Sequence, residues 1–320
     1  STLLDAAVAA AKTAGCEPIV VVGPSDDAHP DLTWVREDPP FGGPVAAILA
    51  ALPLVTASRT LVLACDLPRV GAAVQLLARL RVATGDGVTS FEFLPRIAVE
   101  LTAHHVPGVS DPLERPYESY VLCEISTARD DPALRGLLEA SLEQAMTDGI
   151  VLDAVLAQSL ARRAALWTLH ESVPEAQRAD RACITHDVSV PIAALPRFMA
   201  EASAAVLALA PNGRMVAYGH VGDGNLHFNV SAPLGGDAEQ FMAHAPAIHA
   251  AVHAIVRQFR GSISAEHGIG RLKRADLARF KGAVDLDVMR AIKHALDPNG
   301  ILNPGKVLPA AGEFAGRNAC

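Results

Sequence analysis

From about residue 71 onward, apolar residues recur in two rhythms. In some stretches they fall every third or fourth position, and in others they alternate or run unbroken over five to eight positions. The segment AAVQLLARLRVATGDGVTSFEFLPRIAVELTAHH (residues 72–105) carries both and predicts helix, strand, helix. Beyond it, Tyr120 to Ser126 (YVLCEIS) predicts a strand, and Asp131 to Gln144 and Leu152 to Glu171 predict helices. Val188 to Ile192 predicts a strand and Ala193 to Ala210 a helix. Arg214 to His220 and Asn225 to Val230 predict two strands paired across Gly222-Asp223-Gly224, residues that suit a tight turn. Ala245 to Arg260 predicts a helix, Ser262 to Glu266 a strand, and Asp285 to Leu296 a helix. Antiparallel strands with long helices on one face make an α+β domain with a ferredoxin-like sheet.

The first seventy residues have another character. Leu3 to Ala14 predicts a helix, Pro18 to Gly23 (PIVVVG) a buried strand, Pro39 to Pro44 a loop, Val45 to Leu52 a helix, and Arg59 to Cys65 (RTLVLAC) a second buried strand. Short β-branched runs alternating with helices predict a partial, Rossmann-like α/β segment with a parallel sheet. The chain therefore divides into residues 1–70, residues 71–311 and a tail of 312–320.

Composition narrows the function classes. The 320 residues are half hydrophobic, enough for real cores. The net charge is −8, with Lys and Arg spread along the chain, so no footprint for nucleic acid is expected. No apolar run is read as a membrane span, since the stretch around Leu49 to Leu63 is broken by Pro53 and Arg59, and no signal peptide is read at Ser1. Cys16, Cys65, Cys123, Cys183 and Cys320 are scattered without CxxC spacing, which predicts free thiols in a reducing cytoplasm.

The residues richest in chemistry lie between His220 and Gly270. In the predicted strand after the turn, alternation puts His227 and Asn229 on one face and Leu226, Phe228 and Val230 on the other, and the hairpin folds His220 back toward the polar face. Glu266 comes from a separate segment, SAEHGIG. Two imidazoles, an amide oxygen and a carboxylate are a mixed N/O donor set suited to Zn²⁺ or Mn²⁺ with coordination positions left open. Two histidines in a hairpin also fit a purely structural role.

The motifs GHVGDGNLHFNV, SAEHGIG and DPNGILNPGKVLP resemble the C-terminal, substrate-side domain of the FAD-linked oxidase family over roughly three quarters of the chain. That resemblance implies FAD as cofactor and oxidation of a small D-2-hydroxy acid of the D-lactate, glycolate or D-2-hydroxyglutarate class. A flavoprotein, quinone or cytochrome would accept the electrons. It implies His220, His227, Asn229 and Glu266 as metal ligands, His267 as the base, and Asn303 and Lys306 near the flavin edge. His170 stands where the family has an Arg that clamps the substrate carboxylate, and Thr185 where it often has Lys, so two cationic contacts are weakened. The family's flavin domain would precede this one, so either another chain supplies it or the chain is a truncated, fused remnant. Residues 1–70 resemble a fragment of the molybdenum-cofactor nucleotidyltransferase family, on STLLDAAVAAA, PIVVVGP, REDPPFGGPVAAI and TLVLACDLPRV; there Asp66 would bind Mg²⁺, without that family's phosphate-cradling loop. Alternatives to the dehydrogenase are thus a remnant that binds metal only, or a nucleotidyltransferase.

Overall fold

The computed structural model describes Val8 and residues 20–22, 32–35, 69–126 and 133–309. The expected helices Leu3 to Ala14 and Val45 to Leu52, the strand Arg59 to Cys65, Asp66 and the tail lie wholly or almost wholly outside those residues. Of the α/β segment, β1 (Val20–Val22) and β2 (Thr33–Val35) are described, and they pair in parallel. The chain forms two compact units, Ser1–Gly261 and Ser262–Cys320.

In the first unit the expected helix–strand–helix after residue 70 is α1 (Arg69–Thr84), β3 (Val88–Pro95) and α2 (Arg96–His105). Then come β4 (Ser119–Ile125), α3 (Ala133–Thr147), α4 (Leu160–Glu171), α5 (Val173–Asp180), β5 (Cys183–Ile184), β6 (Asp187–Ser189), α6 (Leu195–Leu209), β7 (Arg214–His220), β8 (Asn225–Ser231), α7 (Ala238–Met242) and α8 (Ala245–Gln258). One six-stranded sheet runs β4-β3-β7-β8-β5, with β6 also on β8, and every pairing in it is antiparallel. This is the α+β architecture expected.

Both faces of the sheet are covered, not one. Leu94, Tyr120, Val216 and Tyr218 join Ala98 and Leu101 of α2, Leu169 of α4, and Val173 and Ala176 of α5 in one core. Phe228 points the other way and meets Phe198 of α6, with ring centroids 5.5 Å apart. The sheet has apolar residues on both faces, so each face needs a helical layer.

Three other expectations are corrected. The helix expected from Leu152 begins at Leu160, where the Ser159 hydroxyl accepts the Arg162 N–H at 3.2 Å and caps it. The strand expected over Ser262 to Glu266 is a loop. The segment Ile192–Leu209 is long and apolar enough, by length and composition, to cross a membrane. Its Leu195, Phe198, Ala202 and Val206 form a buried stripe at helical spacing.

The β7–β8 hairpin is held by close backbone contact. A Cβ on Gly224, whose φ is +81°, would stand 2.1 Å from the Val190 carbonyl oxygen. In return the Val190 N–H donates to the Gly224 carbonyl at 3.0 Å. Only glycine combines that φ with that approach.

In the second unit, α9 (Arg274–Phe280) and α10 (Ala283–Leu296) precede the Gly/Pro-ordered tail. Asp297 organises the turn after α10: its carboxylate accepts the Ile301 and Leu302 N–H groups at 3.0 and 2.9 Å and pairs with Lys293. The Val307 N–H donates to the Gly270 carbonyl at 2.7 Å, tying the tail to the loop after His267.

Candidate functional site

The sheet register places the chemistry. Glu92 of β3 stands directly opposite His220 of β7, and Tyr218 of β7 opposite His227 of β8. Asp187 of β6 stands opposite His227 on its other side, and Val216 opposite Asn229. Directly opposed residues point to the same face, and alternation along β7 and β8 extends that face. Glu92, Asp187, Tyr218, His220, His227 and Asn229 therefore share one side of the sheet. The partition expected for β8 holds: Leu226, Phe228 and Val230 are fully buried on the opposite side.

Glu92 is the centre of the polar group. It is 4% exposed, and its Oε2 lies 2.6 Å from His220 Nδ1 and 3.3 Å from His170 Nε2. The Ser90 hydroxyl donates to its Oε1. Burial pushes the Glu92 carboxyl up, but the contacts with His170, His220 and Ser90 outweigh it and hold the group far below the usual carboxylate range. His170 reaches this point from the last turn of α4, is itself buried, and packs edge-on against Trp167 and Tyr218. The His220 ring centroid is 5.6 Å from those of both His170 and His227.

Each residue expected at the site has a definite place. His220 and His227 are brought together on the sheet face. Asn229 lies on that face but is buried in a structural net: its Oδ1 accepts the His186 N–H at 3.0 Å and its Nδ2 donates to Gln177 Oε1 at 2.9 Å. His170 faces Glu92 rather than solvent, and Thr185 is exposed between β5 and β6. Glu266, His267, Asn303 and Lys306 belong to the second unit. There His267 Nε2 is 3.6 Å from Glu266 Oε1, and the Lys306 N–H donates to the carbonyl of Asn303, a residue with φ of 48°.

Sequence reading missed Glu92 and Asp187. The signal for Glu92 was present: a carboxylate inside the otherwise apolar run Phe91-Glu92-Phe93-Leu94 must be partnered if the strand is buried. The partner could not be read, because it is set by pairing between β3 and β7, which are far apart in the chain.

The chain matches the family described as "FAD linked oxidases, C-terminal domain" over residues 56–307. It belongs to that family. Among its relatives, the D-2-hydroxyglutarate dehydrogenase of Xanthomonas citri pv. viticola is 37% identical over 241 residues, 75% of this chain and 50% of that one. The mitochondrial D-2-hydroxyglutarate dehydrogenase of Arabidopsis thaliana is 34% identical over 235 residues, covering 73% and 40%. The D-2-hydroxyglutarate dehydrogenase of Stutzerimonas stutzeri is 35% identical over 231 residues, covering 70% and 47%. The chain thus spans half or less of the length of these curated relatives. A solved structure of p-cresol methylhydroxylase with substrate bound matches with a TM-score of 0.51 at 12% identity, covering 76% of this chain and 51% of that one. At that identity the likeness concerns the fold of the FAD-linked oxidase C-terminal domain.

Proposed function

We propose that this FAD-linked oxidase C-terminal domain is the substrate-side half of a flavin-dependent D-2-hydroxy-acid dehydrogenase, with D-2-hydroxyglutarate, D-lactate and glycolate as the substrate class. The observation that carries the reading is the polar sheet face with His220 and His227 inside a domain of this family. The names of its relatives favour D-2-hydroxyglutarate within the class.

The expected seat of a Zn²⁺ or Mn²⁺ ion is His220, His227, Asn229 and Glu266. Two imidazoles and a carboxylate suit such an ion, while the Asn229 amide is already engaged by His186 and Gln177. When bound, the cation would acidify the substrate hydroxyl and FAD, held by a domain from this or another chain, would take the hydride. The protein's own groups have separable tasks. His220 and His227 orient the substrate through their ring positions on a rigid sheet, which favours a fixed geometry over a loop-borne one. His267 accepts the hydroxyl proton at a ring nitrogen, with the neighbouring Glu266 carboxylate beside its Nε2. Asn303 and Lys306 would face the flavin, and a flavoprotein, quinone or cytochrome would receive the electrons. With His170 turned onto Glu92 and Thr185 neutral, neither supplies the bidentate clamp that an Arg gives a carboxylate. The free thiols of Cys123 and Cys183 support a reducing compartment, and we place the protein in the cytoplasm on that ground.

The test is dye reduction by the purified protein with added FAD and each of the three acids. Reduction dependent on a D-2-hydroxy acid, and lost in His267→Gln, is the expected result. No reduction with any of them, under conditions where FAD binds, would overturn the reading.

A further inference from the structure

Glu92, His170 and His220 offer ligand atoms that all lie within 4.8 Å of one another, from three different elements of the first unit. Two features set this trio apart from an ordinary buried ion pair. Glu92 Oε2 is buried and accepts no hydrogen bond of ordinary geometry, although two imidazole nitrogens converge on it. The His170 ring is buried too, and neither Nδ1 nor Nε2 has a hydrogen-bond partner. Buried polar atoms are nearly always satisfied, so two such atoms facing each other, Glu92 Oε2 and His170 Nε2, call for a missing group. Among the described residues no Lys or Arg reaches the Glu92 carboxylate; its nearest ring neighbours are the two histidines. A buried carboxylate ringed by two imidazoles rather than by a Lys or Arg is a donor set that a cation can occupy.

We propose that Glu92, His170 and His220 form a second cation seat, for a Zn²⁺-class divalent ion, distinct from the set that includes His227 and Glu266. Two ligand atoms on one tetrahedral ion at about 2.0–2.1 Å stand about 3.3 Å apart. The His170 Nε2 to Glu92 Oε2 separation of 3.3 Å already has that value, and the His220 contact of 2.6 Å has only to open slightly. Two imidazoles and one carboxylate complete a three-ligand N₂O set with a fourth position open to water. The ion's charge compensates Glu92. The His220 side chain, 31% exposed against 5% and 8% for Glu92 and His170, provides the entry side. A neutral imidazole carries one lone pair, so His220 serves one ion at a time. Its Nδ1 belongs to this seat, and occupancy here competes with ligation beside His227. The inference does not depend on the flavin reading and stands if that reading fails.

Co²⁺ is the probe, because its visible bands intensify when it leaves water for a low-coordinate N/O site. The purified chain, stripped with a chelator, is titrated with Co²⁺ alone, and each variant's fold is checked by thermal melting. The expected result is one Co²⁺ whose affinity falls about 100-fold or more in His170→Gln and in Glu92→Gln but persists in His227→Gln. Zn²⁺ should likewise raise the Tm of the wild type and of His227→Gln but not of His170→Gln. Should Glu92→Gln not fold, His170→Gln carries the test by itself. Wild-type Co²⁺ affinity in a folded His170→Gln, or binding that depends on His227 and not on His170, would overturn the second seat and leave Glu92 as a hydrogen-bond acceptor that orients His220.

Discussion

Gly224→Ala tests whether the β7–β8 turn is fixed by backbone contact rather than by its side chains. The added Cβ would stand 2.1 Å from the Val190 carbonyl oxygen, more than 1 Å inside an ordinary contact of about 3.4 Å. Because the clashing atom is backbone, β6 or the turn must move. Movement breaks the Val190 N–H to Gly224 carbonyl bond of 3.0 Å, a loss of about 1 kcal/mol. Holding Ala at a φ of +81° costs about 1–2 kcal/mol more, and residual displacement of the sheet edge adds to both. The sum is about 3–5 kcal/mol, in the range reserved for strained or overpacked sites. At about 2 °C per kcal/mol for a chain of this size, the Tm should fall by about 6–10 °C. Gly222→Ala in the same turn is the control, since its Cβ would meet Phe91 at ordinary contact distances of 3.6 Å and beyond. Thermal melting of the two variants beside the wild type measures the difference. Equal Tm values for Gly224→Ala and Gly222→Ala would refute the steric argument, and with it the view that this turn aims His220 and His227.

Other outcomes follow from the same contacts. Asn229→Ala removes the acceptor of the His186 N–H and the donor to Gln177, both buried, and should cost about 2–4 kcal/mol in urea unfolding; a loss below about 1 kcal/mol would mean that the net is dispensable. The folded Glu92 carboxyl titrates below its unfolded value, so its ionised form adds stability that is fully present above the unfolded pKa of about 4.3 and lost as pH falls below it. The stability difference between the wild type and Glu92→Gln should therefore shrink as pH is lowered from neutral toward the acid transition, and a pH-independent difference would contradict the assignment. Burial, with Glu124 and Glu92 nearby, pushes the Cys123 thiol up to about 12, so peptide mapping after iodoacetamide treatment at about pH 8 should find Cys123 unlabelled in the native protein and labelled in urea. Equal labelling in both states would show that the thiol is not shielded.

The hairpin was legible in the sequence because its information is local. Alternation separates Leu226, Phe228 and Val230 from His227 and Asn229, and the Gly-Asp-Gly turn folds β7 back beside β8, so the meeting of His220 and His227 needs no distant contact. The helix after Tyr120 to Ser126 and the helix between β6 and β7 were legible for the same reason: their stripes repeat within one element. The strand expected at Ser262 to Glu266 failed because a short apolar–polar alternation bounded by glycine does not distinguish a strand from a loop. The start of α4 was misread because the apolar pattern continues upstream of the residue that caps it, Ser159. What the tertiary structure alone decided is who faces Glu92 and what Asn229 does. Glu92 meets His220 because β3 pairs with β7, and it meets His170 because α4 packs over that face; Asn229 meets His186 and Gln177 for the same kind of reason. A pattern along the chain gives the side a residue faces, whereas its partner depends on which strand or helix is brought alongside, and that is settled by the burial of both apolar faces of the sheet at once.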